Sequence, residues 1–103
     1  MNIEQLNYFI EVIESGSFMI VAEKFFVNVE DIKESIVSLE IELGIKLIEY
    51  DGDSKVVLSF EGEQIISIVK EIIQKYHAFV DKIKFSNKDS YINRNMMYEV
   101  SLF

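Results

Sequence analysis

The chain has 103 residues, with 18 Asp and Glu against 10 Lys and Arg for a formal charge of −8, and half of it is apolar. That size and apolar content fit one small packed domain with an appended helix and exclude wholesale disorder. With no Cys and a single His (His77), disulfide, thiolate, His-based metal-cluster and catalytic-triad chemistry all lack their parts, and there is no apolar run near the roughly 18 residues of a membrane span and no signal-peptide pattern. No enzyme activity, metal, cofactor or membrane partner is therefore expected, and the expected location is cytoplasmic.

Asn2 is an N-cap candidate with Gln5 three residues on, and Leu6, Phe9, Ile10 and Ile13 follow at helical spacing. Gly16 supplies the left-handed stop. Ser17 caps a shorter second helix with Phe18, Val21, Ala22 and Phe25 inward, and Phe26-Val27 makes a tight turn. Asn28 caps a third helix, with Asp31 at its third position and Ile32, Ile36, Leu39 and Leu43 along one face, and Gly44 closes it. Glu40 and Glu42, with Glu49 beyond, read as a solvated helix end. The period then shortens: Ile45–Tyr50 and Lys55–Leu58 are β-prone runs around Asp51-Gly52, a hairpin signal.

Ser59 starts the longest helix, with Glu61 and Glu63 in a first turn where the macrodipole favours acids. Its apolar stripe of Ile65, Val69, Ile72, Tyr76, Phe79 and Ile83 alternates gaps of four and three, with Ile66, Ile73 and Val80 beside it. A heptad seam about three repeats long predicts a homodimer through these six residues. His77 falls beside the seam as an outward surface residue. The composition of Ser86–Ser90 predicts a linker, and the alternation over Tyr98–Leu102 predicts a terminal strand. The layout is thus a domain over 1–58, a dimerisation helix over 59–85 and a tail over 86–103. The fold class is mostly α: three helices and a β-hairpin compose a winged helix-turn-helix, followed by the long helix.

The residues themselves resemble a family. Asn2-Ile3-Glu4-Gln5-Leu6-Asn7-Tyr8-Phe9, Gly16-Ser17-Phe18, Ala22-Glu23, Leu39-Glu40-Ile41-Glu42-Leu43-Gly44-Ile45-Lys46-Leu47 and Leu58-Ser59-Phe60-Glu61-Gly62 look like the N-terminal domain of LysR-type transcriptional regulators. The resemblance covers residues 1 to about 85 and implies a DNA-binding dimer that sets two recognition helices in successive major grooves. It also implies a large effector-binding domain, whereas this sequence ends at Phe103.

The resemblance fails over the surface that reads DNA. Met19-Ile20 stand where a polar and a basic residue are usual, Tyr50 stands where an Arg is usual, and the recognition helix reads Asn28-Val29-Glu30-Asp31-Ile32-Lys33-Glu34-Ser35-Ile36-Val37-Ser38. Residues 1–58 hold twelve acids and four bases, so the whole acidic excess lies in this half. Affinity for duplex DNA comes chiefly from Lys and Arg at phosphates, whereas an acid about 4 Å from a phosphate costs about 1 kcal/mol even in water.

A DNA-binding version would have to use Lys33, Ser35, Ser38 and Lys55, and the resemblance adds Ser17 and Asn28 as family positions. Exposed Met19, Ile20, Val29 and Val37, rimmed by Glu30 and Glu34, would instead form a protein-docking surface. Two functions follow: a regulator whose direct DNA binding is weakened by charge, or a protein-interaction module. The latter would antagonise another regulator by heterodimerising through residues 59–85, or occupy a basic site as an acidic mimic.

Overall fold

The computed structural model describes residues 1–52 and 54–94, with side chains described as far as Phe85. The element order is α1 (Ile3–Ser15), α2 (Phe18–Phe25), α3 (Val29–Leu43), β1 (Ile48–Asp51), β2 (Lys55–Leu58) and α4 (Phe60–Arg94). The two strands pair antiparallel with Ile48 opposite Leu58 and Asp51 opposite Lys55, forming the wing. The predicted terminal strand over Tyr98–Leu102 and the wing-tip residue Asp53 lie outside the described residues.

The helix ends are closed as the sequence patterns require. The Gln5 amide donates to Asn2 Oδ1 at 2.8 Å and the Asn2 amide to Gln5 Oε1 at 3.1 Å, a reciprocal capping box. Gly16 takes the left-handed conformation at φ 72°, and its N–H reaches the Val12 carbonyl at 2.7 Å. Ser17 Oγ accepts from the Ile20 amide at 3.1 Å. At the turn between α2 and α3 it is Phe26, not a glycine, that adopts φ 58°. Its ring is 94% exposed while Val27 N–H closes onto the Ala22 carbonyl at 3.0 Å.

Two readings of element extent change. β1 begins at Ile48, not Ile45, because Gly44 ends α3 with φ 74° and the Ile45 amide is committed to the Glu40 carbonyl at 3.2 Å. The α4 backbone runs helical through Ser86–Ser90 to Arg94, where a break was expected. That stretch contains neither Gly nor Pro, and Ser, Asn and Asp each cost a running helix no more than about 0.7 kcal/mol.

The chain forms two compact units, Met1–Ile73 and a second beginning at Gln74. In the first, Phe9 and Val12 of α1, Val21 of α2, Ile32, Ile36 and Leu39 of α3, and Leu47 and Val56 at the base of the wing are all at most 1% exposed. Val69 joins this core at 5% exposure, and Ile65, Ile66 and Ile73 pack against it half-buried. The predicted seam is therefore corrected at its start. Val69 is buried within its own domain and Ile65 is largely committed there, because the wing delivers the first turns of α4 onto the core.

Phe25 is also less buried than its helical position suggested, at 36% exposure, with Tyr8 covering one side edge-on at 5.2 Å between ring centroids. Burial, together with the Glu4 carboxylate one turn earlier, holds the Tyr8 phenol above its ordinary range. The unfolded phenol ionises first as pH rises, so the folded state binds more protons in that window and stability falls as pH climbs past about 10. Urea melts of Tyr8→Phe across that window are expected to show a shallower decline than those of the unmodified chain.

Candidate nucleic-acid interface

α3 has an inner and an outer line. Ile32, Ile36, Leu39 and Glu40 face inward and are buried. Outward, Glu30, Lys33, Glu34, Val37, Ser38 and Ile41 line a shallow groove of about 380 Å³. A second groove of about 500 Å³ lies between α3 and the wing, bounded by Phe18, Lys33, Val37, Lys46, Glu49 and Tyr50 with Ile36, Glu40 and Ile48 at its floor. A third, about 410 Å³, runs past Val37 and Ile41 to Lys46 and Glu61. Val37 lines all three.

A buried carboxylate sets the angle between helix and wing. Glu40 is 9% exposed, and its Oε2 accepts from the Leu47 amide at 2.7 Å and the Ile48 amide at 3.4 Å. The expectation that Glu40 is solvated is thus overturned. The reversal at Gly44 brings the chain back over the last turn of α3 and presents two amides that need an acceptor. On the other side, Ser59 Oγ donates to the Lys46 carbonyl at 2.7 Å and accepts from the Gly62 amide at 2.8 Å, while the Ser59 amide donates to the Leu47 carbonyl at 3.0 Å. The N-terminus of α4 is thereby fastened to the entry of β1. The Val56 amide, donating to the Gly16 carbonyl at 3.0 Å, ties β2 to the end of α1.

The predicted DNA-contacting residues divide. Lys33 and Ser38 are exposed on the outer line of α3, and Lys55 is exposed on β2. Ser17 is occupied as the cap of α2. The Asn28 amide donates to Asp31 Oδ2 at 3.3 Å, so the start of α3 is held by an acid of its own first turn. Ser35 sits half-buried on the flank toward α1, where its carbonyl accepts from Gln5 Nε2 at 3.4 Å, away from the outer line.

Lys33 is itself engaged. Its Nζ lies 5.6 Å from the centroid of the Phe18 ring and 3.9 Å from Glu30 Oε2. Lys24, on α2, is paired with Glu11 at 2.9 Å.

Of the residues predicted to dock a protein, Met19, Ile20 and Val37 are 61%, 53% and 50% exposed, and Glu30 and Glu34 are exposed beside Val37. Val29 leaves this set, because it is half-buried against the core. Ile41, 75% exposed, joins this surface without having been singled out in the sequence, and Tyr50, noted only as the replacement of a usual Arg, adds an exposed ring that tilts against Phe18 at 6.4 Å. Ile41 follows Val37 by four residues, the spacing that signals a shared helix face.

Comparison with known proteins gives this geometry a context. Residues 3–63 match the family described as bacterial regulatory helix-turn-helix protein, lysR family. The chain is 33% identical over 84 residues to a probable nitrogen assimilation transcriptional activator of Synechococcus elongatus, covering 82% of this chain and 26% of that protein. It is 26% identical, again over 84 residues and 82% of its length, to the HTH-type transcriptional regulator BsdA of Bacillus subtilis, covering 29% of that protein. The chain spans about a quarter of the length of the curated relatives it matches.

Among solved structures, the BenM DNA-binding domain in complex with benA site 1 DNA superposes with a TM-score of 0.73 at 30% identity, covering 82% of this chain and 96% of that one. The DNA complex of the CbnR DNA-binding domain superposes with a TM-score of 0.75 at 25% identity, covering 84% and 99%.

Proposed function

The chain belongs to the lysR family of bacterial regulatory helix-turn-helix proteins, and from that premise we propose a transcription regulator whose direct hold on DNA is weakened by its own reading face. One observation carries this reading: the outer line of α3 sets Glu30 and Glu34 around Lys33, and Lys33 is drawn toward Glu30 and the Phe18 ring. Similar domains have been solved on DNA. Here the helix in the corresponding element would bring carboxylates toward phosphates, and each such approach opposes the counterion release that drives binding. The homodimer belongs to the same proposal, because Ile72, Tyr76, Phe79 and Ile83 remain exposed along α4. A second reading, an interaction module that antagonises another regulator, is favoured by the exposed Val37, Ile41 and Tyr50.

Anisotropy titrations of a labelled generic duplex test the charge directly. The unmodified protein is expected to bind more weakly than the roughly 10⁻⁴–10⁻⁶ M usual for non-specific binding at physiological salt. Glu30→Gln combined with Glu34→Arg should gain about tenfold or more at low salt, with a steeper salt slope. Tight, sequence-selective binding by the unmodified protein, lost on Lys33→Ala or Lys55→Ala, would overturn the proposal.

A further inference from the structure

We propose that the concave surface centred on Val37 is a docking site for a basic amphipathic segment of a partner protein, one that sets large apolar side chains between Lys or Arg residues. This rests on the reading that the face holds DNA poorly. Val37 lines three adjoining grooves, and the largest, about 500 Å³ between α3 and the wing, has room for large apolar side chains. Ile41 and Tyr50 extend the apolar centre at 75% and 58% exposure. Around that centre stand Glu30, Glu34, Glu49 and Glu61. The facing ammonium groups belong to Lys33, which leans on Phe18 and Glu30, and Lys46.

An apolar centre inside an acidic rim selects its occupant by complementarity. Apolar side chains fill the grooves, and flanking cations meet carboxylates that cannot pair with a phosphate backbone. A second copy of the same face would bring carboxylates to carboxylates. Because the grooves run along a helix and beside a hairpin that are already fixed to each other, a short helical or extended segment suffices, the recognition mode of an amphipathic peptide in a preformed groove.

The experiment selects a phage-displayed random 16-residue peptide library on the full chain, then titrates the recovered peptides as labelled synthetic probes. The expected result is recovery of sequences that place Lys or Arg beside Leu, Phe or Trp. Their affinity should fall at least tenfold toward Val37→Ser with Ile41→Ser, which removes the apolar centre. It should fall comparably toward Glu30→Gln with Glu34→Gln, which removes two rim charges. Circular dichroism melts confirm that each variant folds, as expected for substitutions at exposed helix positions.

Failure to recover binders, binders without positive charge, or an affinity for either variant equal to that for the unmodified protein overturns the proposal. Displacement of a selected peptide by duplex DNA at physiological salt also overturns it, giving the face to nucleic acid. Weak DNA binding with no peptide capture removes only the docking site, whereas tight binding of duplex by the unmodified protein removes the reading beneath it.

Discussion

Gly62→Ala is expected to lower the melting temperature by about 10 °C or more, the largest single-residue effect in the domain outside its apolar core. A Cβ built at Gly62 would fall 2.3 Å from the Leu47 carbonyl oxygen and 3.0 Å from Leu58 Cδ2. The first obstacle is backbone, and that carbonyl is already held by the Ser59 amide at 3.0 Å, so it cannot retreat without breaking the tie between α4 and the wing. An opposing term exists, since Ala is favoured over Gly inside a helix by about 1 kcal/mol. Overlap with held backbone sits at the upper end of the about 1–3 kcal/mol that overpacking costs, so a net loss of about 2 kcal/mol remains. A thermal melt followed by circular dichroism decides the sign, and a rise in melting temperature would show that Leu47 yields freely.

The second large effect concerns association. The unmodified protein is expected to sediment as a dimer at micromolar concentration, and Ile72→Glu combined with Phe79→Glu is expected to make it a monomer. Ile72, Tyr76, Phe79 and Ile83 are between 42% and 63% exposed at helical spacing along α4. Burying a large aliphatic side chain is worth roughly 1.5–3 kcal/mol, and two-fold symmetry counts each residue twice. Val69→Asp provides the contrast: at 5% exposure in the domain core, Val69 should unfold the domain when charged rather than separate two folded copies. Sedimentation velocity distinguishes these outcomes, and a monomeric unmodified protein would end the seam.

The helices and wing were legible in the sequence because their signals are local. Asn2 with Gln5, Gly16, Ser17 and Gly44 each close a helix through groups within a few residues, so spacing alone locates them. What the sequence concealed depends on contacts made across the fold. Glu40 reads as a surface acid because its partners, the amides of Leu47 and Ile48, reach it only after the chain has reversed at Gly44. Val69 satisfies the heptad as well as Ile72 does, and periodicity carries no information about which turns of α4 the domain already covers.

The candidate site divides the same way. The acids of α3 and the loss of basic residues were visible residue by residue. The half-burial of Val29, the exposure of Ile41 and the leaning of Lys33 over Phe18 depend on how α2 and α3 cross.

The Glu40 carboxylate has a thermodynamic consequence for any ligand of the face. By clasping the amides that lead into β1, it makes α3 and the wing a single jaw whose opening is set when the chain folds. A ligand entering between them has no hinge to close. On the protein's side the ordering cost is then that of fixing side chains such as Lys33, Lys46 and Tyr50, about 0.5–1.5 kcal/mol for each rotamer-rich chain immobilised, beside the translational and rotational freedom that any association loses. Association should then run at a rate set by diffusion and charge, with affinity differences among ligands appearing in how slowly they leave.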